Sequence, residues 1–268
     1  ARKTNTREVK EMTNCIVCGV RLAYHRSMIG EPLSYRVSHQ AEEYTELTVE
    51  DAIEITGGLS TTSKMPCKSY SLPSSMCMVG SMMKSVAGSV CNKCYTYRYK
   101  RYAHVAAKQH ERMRSILHPR WCDAMVILLE NEHNEFFRWH DSGDIMTVRH
   151  LEKIVEVATR TPDIKHWLPT LETQTLKRFI KLHGKFDQFT NLNIRVSTAM
   201  VDGRPNLSLA SKMGVTSSSV TANKLIKIAS KQKLYTEGYC PASKQNNECG
   251  KCRKCWNKEE QLVTYIQH

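Results

Sequence analysis

From about Phe136 onward the apolar positions come in short blocks separated by amphipathic stretches, and this pattern predicts strands alternating with helices. The apolar start of EFFRWH predicts a buried strand. TVRHLEKIVEVATR then predicts a helix, because Val148, Leu151, Ile154, Val155 and Ala158 share one face and Pro162 lies just beyond its end. IKHWL is the next strand. QTLKRFIKLH is the next helix, with Leu176, Phe179, Ile180 and His183 on one side and Gly184 as its stop. LNIRVS predicts a third strand, and ANKLIKIAS a helix after a further short segment. Strands and helices in this order imply an α/β core of parallel strands joined by right-handed crossovers. Upstream, TELTVEDAIEITGG predicts a short helix capped by Thr48 and ended by Gly57. On a helical wheel Tyr95, Tyr99, Tyr102, Ala106, Met113 and Leu117 fall in one arc and Arg98, Arg101, Lys108 and Arg112 in another. A single helix with an aromatic inner stripe and a basic outer stripe is therefore expected there.

The predicted strands end in polar groups: His140, Asp141, Ser142 and Asp144; then Pro169, Thr170 and Glu172; then Arg195, Ser197 and Thr198. Ligands of parallel α/β folds bind outside the carboxyl ends of the strands, whether the sheet is open or closed into a barrel. These groups are candidate site residues for that reason, although Asp144 or Thr147 can also cap the helix that starts at Val148.

Composition sharpens this picture in two ways. The chain of 268 residues carries a formal charge of +13, which favours a polyanionic partner such as a nucleic acid or nucleotide, with Arg98, Arg101, Lys108 and Arg112 as its contacts. It also carries eleven cysteines, and no apolar run approaches a membrane span. The N-terminal stretch ARKTNTREVK is basic rather than a signal, so a cytoplasmic protein is expected, where clustered thiols bind metal or do chemistry more often than they form disulfides.

Ten of the cysteines fall into three groups, and Cys122, alone in WCDAMVILL, reads as a small core residue. Cys240, Cys249, Cys252 and Cys255 place four thiols within reach of one centre. The C-x2-C-x2-C run resembles cubane iron–sulfur ligation more than the two separated knuckles of a zinc site. Cys67, Cys77, Cys91 and Cys94 form a looser group: three of them holding a cubane would leave one iron open, whereas four would close the site. Cys15 and Cys18, with His25 and His39 downstream, can make a small zinc knuckle or complete one of the other groups.

SKMPCKSYSLP, GSVCNKCY, RWHDSGD, KHWLPTLE and RVSTAM together resemble a phage protein family known as gene product 88, a likeness that spans roughly Ser63 to Cys255. That family implies no assigned activity; if the chain is phage-encoded, its compartment is the cytoplasm of the infected cell. A more distant likeness is to radical S-adenosylmethionine (SAM) enzymes, which implies a partial (β/α) barrel and a [4Fe–4S] cluster with an open iron. In that likeness Cys91 and Cys94, with Cys67 or Cys77, hold the cluster. Ser142, Gly143 and Asp144, with Ser197, bind the cofactor, and His140, Asp141, Glu172 and Arg195 line the substrate site. The C-terminal cysteines are then similar to an auxiliary cluster. The expected organisation is a basic arm and small extension over residues 1–62, an α/β core over 63–233 and a Cys-rich segment over 234–268. Three functions follow: an iron–sulfur enzyme of the radical-SAM type modifying a nucleic acid or nucleotide; a zinc-containing transglycosylase or nuclease using Asp141; and a non-catalytic DNA- or RNA-binding accessory protein whose metal centres only fold it.

Overall fold

The computed structural model describes residues 46–222 and 238–267, and the residues from Leu47 on form one compact unit. Cys15, Cys18, His25, His39 and the helix expected in ANKLIKIAS lie outside the described residues. Six strands build the sheet: β1 (Ser69–Tyr70), β2 (Phe136–Trp139), β3 (Lys165–Thr170), β4 (Leu192–Ser197), β5 (Thr216–Thr221) and β6 (Leu262–Ile266). They pair in sequential order, and every pairing is parallel. The helices of the first four crossovers all contribute to one core cluster, so from β1 to β5 the sheet is wound in one direction rather than in the two that define a doubly wound fold. The ladder is open: the hydrogen-bonded order begins at β1 and ends at β6.

The helical face carries the main core. Helix α1 (Val49–Thr56) has the expected cap, with the Thr48 hydroxyl accepting from Asp51 N and the Asp51 carboxylate accepting from Thr48 N, and it ends at Gly57 with φ 75°. The β1–β2 crossover contains α2 (Met78–Met83), a 3-10 segment (Tyr95–Arg101), α3 (Ala103–Ser115) and α4 (Trp121–Asn131). The later crossovers carry α5 (Val148–Arg160), α6 (Thr173–His183) and α7 (Leu207–Met213). Thr147, not Asp144, caps α5, accepting from His150 N. Leu151, Ile154, Val155 and Ala158 of α5 and Leu176 and Phe179 of α6 pack on Phe137, Trp139, Leu168, Ile194 and Val196. Cys122 is buried there as a core residue, its thiol 3.9 Å from Lys153 O.

The opposite face is covered by the C-terminal segment. Successive β-strand residues point to opposite faces, so Leu168 joins the helical core while Trp167 joins Trp256, Val263, Cys67 and Cys255. Residues 238–267 are thus no appendage, since they contribute β6 and a plug against the sheet. Residues 47–62 likewise belong with the core, α1 packing on α4 through Ala52, Ala124 and Leu128.

The single amphipathic helix expected over 98–117 is not formed. Tyr102, with φ −105° and ψ 95°, breaks it into the 3-10 segment and α3. Tyr102 is 55% and Leu117 80% exposed, whereas Arg112 is 7% exposed and donates from Nε to Gly58 O and from Nη1 to Ser60 Oγ. Arg112 is a fastener for the α1–β1 loop rather than a surface cation. Arg98, Arg101 and Lys108 remain exposed, Lys108 paired with Glu111 at 2.9 Å.

Candidate functional site at the strand ends

Leu72 and Thr170 mark the exits of β1 and β3, on either side of β2, at the carboxyl edge of the sheet, and the loop after β1 is built to reach across this edge. Pro73 opens a short 3-10 turn (Ser74–Met76) that delivers Cys77 to the start of α2. After α2 the chain folds back: Val90 N donates to Ala199 O and Val201 N to Gly88 O, fastening the loop to the exit of β4. Ser89 donates from its hydroxyl to Met83 O and accepts from Asn92 N, which closes the turn that presents Cys91 and Cys94.

Cys77, Cys91 and Cys94 converge. A methyl group placed on Gly80 would lie 3.5 Å from Cys91 Sγ and 3.8 Å from Cys77 Sγ, so glycine leaves open the space that both sulfurs border. Burial pushes the Cys77 thiol up, and the Asp144, Cys94, Cys91 and Glu172 charges push it further. Cys91 is pushed up to about 11 by burial and by the Cys94, Asp144 and Glu172 charges. Cys94 Sγ lies 3.1 Å from Thr96 Oγ1. Burial favours the neutral form of the Cys77 and Cys91 thiols, which become ligands when a metal takes the place of their protons.

The two carboxylates beside them brace the site. Asp144 accepts from Ile145 N at 2.7 Å and from Leu171 N at 2.9 Å, joining the β2 exit to the β3 exit. Burial raises it to about 7 despite the hydrogen bonds from Leu171, Thr170 and Ile145, and the Glu172 charge adds to the rise. Glu172 accepts from Val79 N at 2.8 Å, which holds the first turn of α2, and with it Cys77, against the end of β3. Glu172 is buried and acts here as a positioning residue.

The remaining sequence-predicted residues separate into several surroundings. His140 is buried with φ 56°; its Nδ1 is 3.2 Å from Tyr70 O, its Nε2 is sealed without a partner, and burial lowers it to about 4. Asp141 is half-buried and accepts from Ser69 Oγ at 2.6 Å. Ser142 is buried and its carbonyl accepts from Leu72 N at 2.8 Å. Ser197 accepts from Ser218 Oγ at 3.2 Å at the β4 exit. Arg195 does not line this edge: it is 0% exposed and its donors go to the carbonyls of Ser217, Lys254, Cys255, Asn257 and Glu260. Cys67 leaves the group as well. It packs with Cys255, Trp167 and Trp256 on the other face of the sheet, where the Cys249 charge acts on it.

Gly143 connects these parts, and its φ of 83° lies where residues with a Cβ are strained. A Cβ there would meet Leu72 Cβ at 2.5 Å and Leu72 C and O at 3.1 Å. Gly143→Ala is expected to destabilise the protein by about 2–4 kcal/mol, from left-handed backbone strain together with overpacking. The denaturation midpoint measures this, and an unchanged midpoint would mean that the β2 exit is not held against Leu72 as described.

Sequence reasoning missed Tyr97 and Gly80. Tyr97 lies among the three thiols, is bonded to Ser81 and carries Lys84 Nζ 3.4 Å above its ring. Its place in YTYRYK gives no local signal, because the 3-10 turn rather than a helix sets its direction. Among the described residues no three Cys, His, Asp or Glu side chains stand at the spacing a single bound ion demands. A zinc ion at ~2.3 Å from each sulfur draws its thiolates closer together than an iron–sulfur core does.

Residues 40–258 match the family model described as Gene product 88. No curated protein and no solved structure matches the chain.

Proposed function

The chain belongs to the phage Gene product 88 family, and from the geometry of its site we propose that it is an iron–sulfur enzyme of the radical-SAM type acting on a nucleic acid or nucleotide. The observation that carries the reading is the convergence of Cys77, Cys91 and Cys94 beside Asp144 and Glu172 at the carboxyl edge of a singly wound parallel sheet. The residues fit a cubane with one iron left open, since Cys77 and Cys91 border the space beside Gly80, the Cys94 charge acts on both, and the other described cysteines lie elsewhere. A cluster held by Cys77, Cys91 and Cys94 would supply one-electron reduction of SAM by an external reductant, with cleavage of the S–C5′ bond to methionine and 5′-deoxyadenosine coupled to removal of a hydrogen atom from substrate.

The chain's own residues prepare that chemistry. Glu172 holds the Cys77 turn, and the 199–201 segment holds the Cys91 turn, so the three sulfurs share one frame. Asp144 fixes the β2 and β3 exits around the mouth with both of its oxygens. Arg98 and Arg101, exposed on the turn leaving Cys94, put positive charge beside the mouth for a phosphate backbone. No described helix is long and apolar enough to cross a membrane.

Protein purified without oxygen is expected to contain iron and sulfide, and to convert SAM to 5′-deoxyadenosine when dithionite is supplied. A cluster-loaded preparation that never forms 5′-deoxyadenosine would end the SAM reading. A second reading has one observation in its favour: Asp141 is half-buried at the same edge and held by Ser69, as a carboxylate in acid–base or nucleophilic attack on a base would be. Zinc without iron or sulfide, with turnover lost in Asp141→Asn, is the outcome that supports it.

A further inference from the structure

The face of the sheet opposite the helices holds two arginines whose charges are buried. Arg195 is fully buried and spends its donors on carbonyl oxygens, with the Glu260 carboxylate acting on it only from beyond ion-pair distance. Arg138 stacks 4.5 Å from the Trp167 ring and donates from Nη1 to the Met65 thioether, its Nε is sealed from solvent without a partner, and Asp141 acts on it from a similar remove. Among the described residues neither guanidinium is in an ion pair. A buried charge without a close counter-charge is costly, so two on one face favour an anionic group between them and the segment that covers them.

The covering segment carries the thiols. Cys240 N donates to Thr264 O of β6 and Cys249 N to Lys64 O in the loop before β1, two anchors for the cysteine backbone, while Cys252 N donates to Cys249 O and closes the turn between them. Cys255 is buried with its Sγ 3.2 Å from Tyr265 Oη, and Cys240 packs on the same cluster. Positive charge surrounds them: Arg138 and Arg253 act on Cys249, Lys254 on Cys240 and Arg195 on Cys255. Gly250 supplies the left-handed turn, φ 51°, between Cys249 and Cys252.

We infer that Cys240, Cys249, Cys252 and Cys255 ligate a closed iron–sulfur centre of their own on this face, with Arg138 and Arg195 as its buried counter-charges and Cys67 as a fifth, non-ligating thiol beside Cys249. Four thiolates on an oxidised cubane core leave a dianionic centre, which matches two guanidinium charges. The four ligands leave no open coordination position, so the centre fastens the C-terminal plug and binds no substrate. This inference does not rest on the strand-end centre.

The test is metal and sulfide analysis of the full chain purified without oxygen, as wild type, as Cys91→Ala/Cys94→Ala and as Cys249→Ala/Cys252→Ala. The first double variant is expected to keep one centre and the second to lose that same centre. Iron with sulfide in the first variant supports the inference, and zinc without sulfide overturns it. A folded Cys91→Ala/Cys94→Ala chain that contains neither iron nor sulfide would overturn it as well. That variant decides the matter even where the other double variant fails to fold. Failure of the strand-end reading looks different: all wild-type metal would then survive Cys91→Ala/Cys94→Ala.

Discussion

Cys77→Ala is expected to abolish SAM cleavage and the strand-end centre, while Cys67→Ala leaves both in place. Spacing along the chain leaves the two thiols equivalent as the third partner of Cys91 and Cys94. Packing separates them. Cys77 sits at the start of α2, where Gly80 brings its sulfur and that of Cys91 to one space and where Val79 N anchors the turn to Glu172. Cys67 lies before β1 with its thiol in the cluster of Trp167, Trp256 and Cys255. Removing one buried sulfur costs stability on the order of 1 kcal/mol, well within what a domain tolerates, so loss of the centre is separable from loss of the fold. Iron and sulfide content and the yield of 5′-deoxyadenosine report the result. A Cys67→Ala chain that loses the product while Cys77→Ala keeps it would invert the assignment.

The difference between these cysteines marks how far the chain is legible before folding. Strands β2, β3 and β4 and helices α5 and α6 carry their periods openly, because their inward faces are apolar and their ends bear Pro162 and Gly184. The strand-end positions of His140, Asp141, Asp144 and Glu172 follow from those strands. Strand β5, TSSSVT, is hidden because its polarity is answered across the sheet: Thr216 Oγ1 donates to Asn193 Oδ1 and Ser217 Oγ to Val196 O. Strand β6 is hidden by its place after a Cys-rich run. The basic stripe at 98–112 fails at Arg112 because its partners, Gly58 O and Ser60 Oγ, come from a distant loop that no local periodicity reveals. Arg195 fails as a site residue in the same way. Its place in β4 is legible, but the strand runs on past it, and the five carbonyls that absorb its donors belong to β5 and to the chain after Arg253.

Arg195→Met is accordingly expected to be the most damaging single substitution outside the strand-end cysteines. Methionine matches the aliphatic stem and removes every donor. Nε reaches Cys255 O at 3.1 Å; Nη1 reaches Ser217 O at 3.1 Å and Glu260 O at 2.9 Å; Nη2 reaches Lys254 O at 2.7 Å and Asn257 O at 2.9 Å. A hydrogen bond to a charged donor contributes about 1.5–3 kcal/mol, and a buried carbonyl stripped of its partner costs a similar amount. The contributions do not add fully, because the loosened segment can take up water. A loss of more than about 4 kcal/mol is still expected, a large share of the stability of a domain. The structural consequence is local first: residues 254–260 lose their fastening, Trp256 leaves Phe137 O and Trp167, and β6 frays from β5. Limited proteolysis should therefore cut near Lys254 before the helical core unfolds. Arg195→Lys should rescue little, since an ammonium group cannot address five carbonyls from one planar fork. An Arg195→Met chain with wild-type unfolding and no new cleavage would show that the guanidinium is not what secures the C-terminal plug.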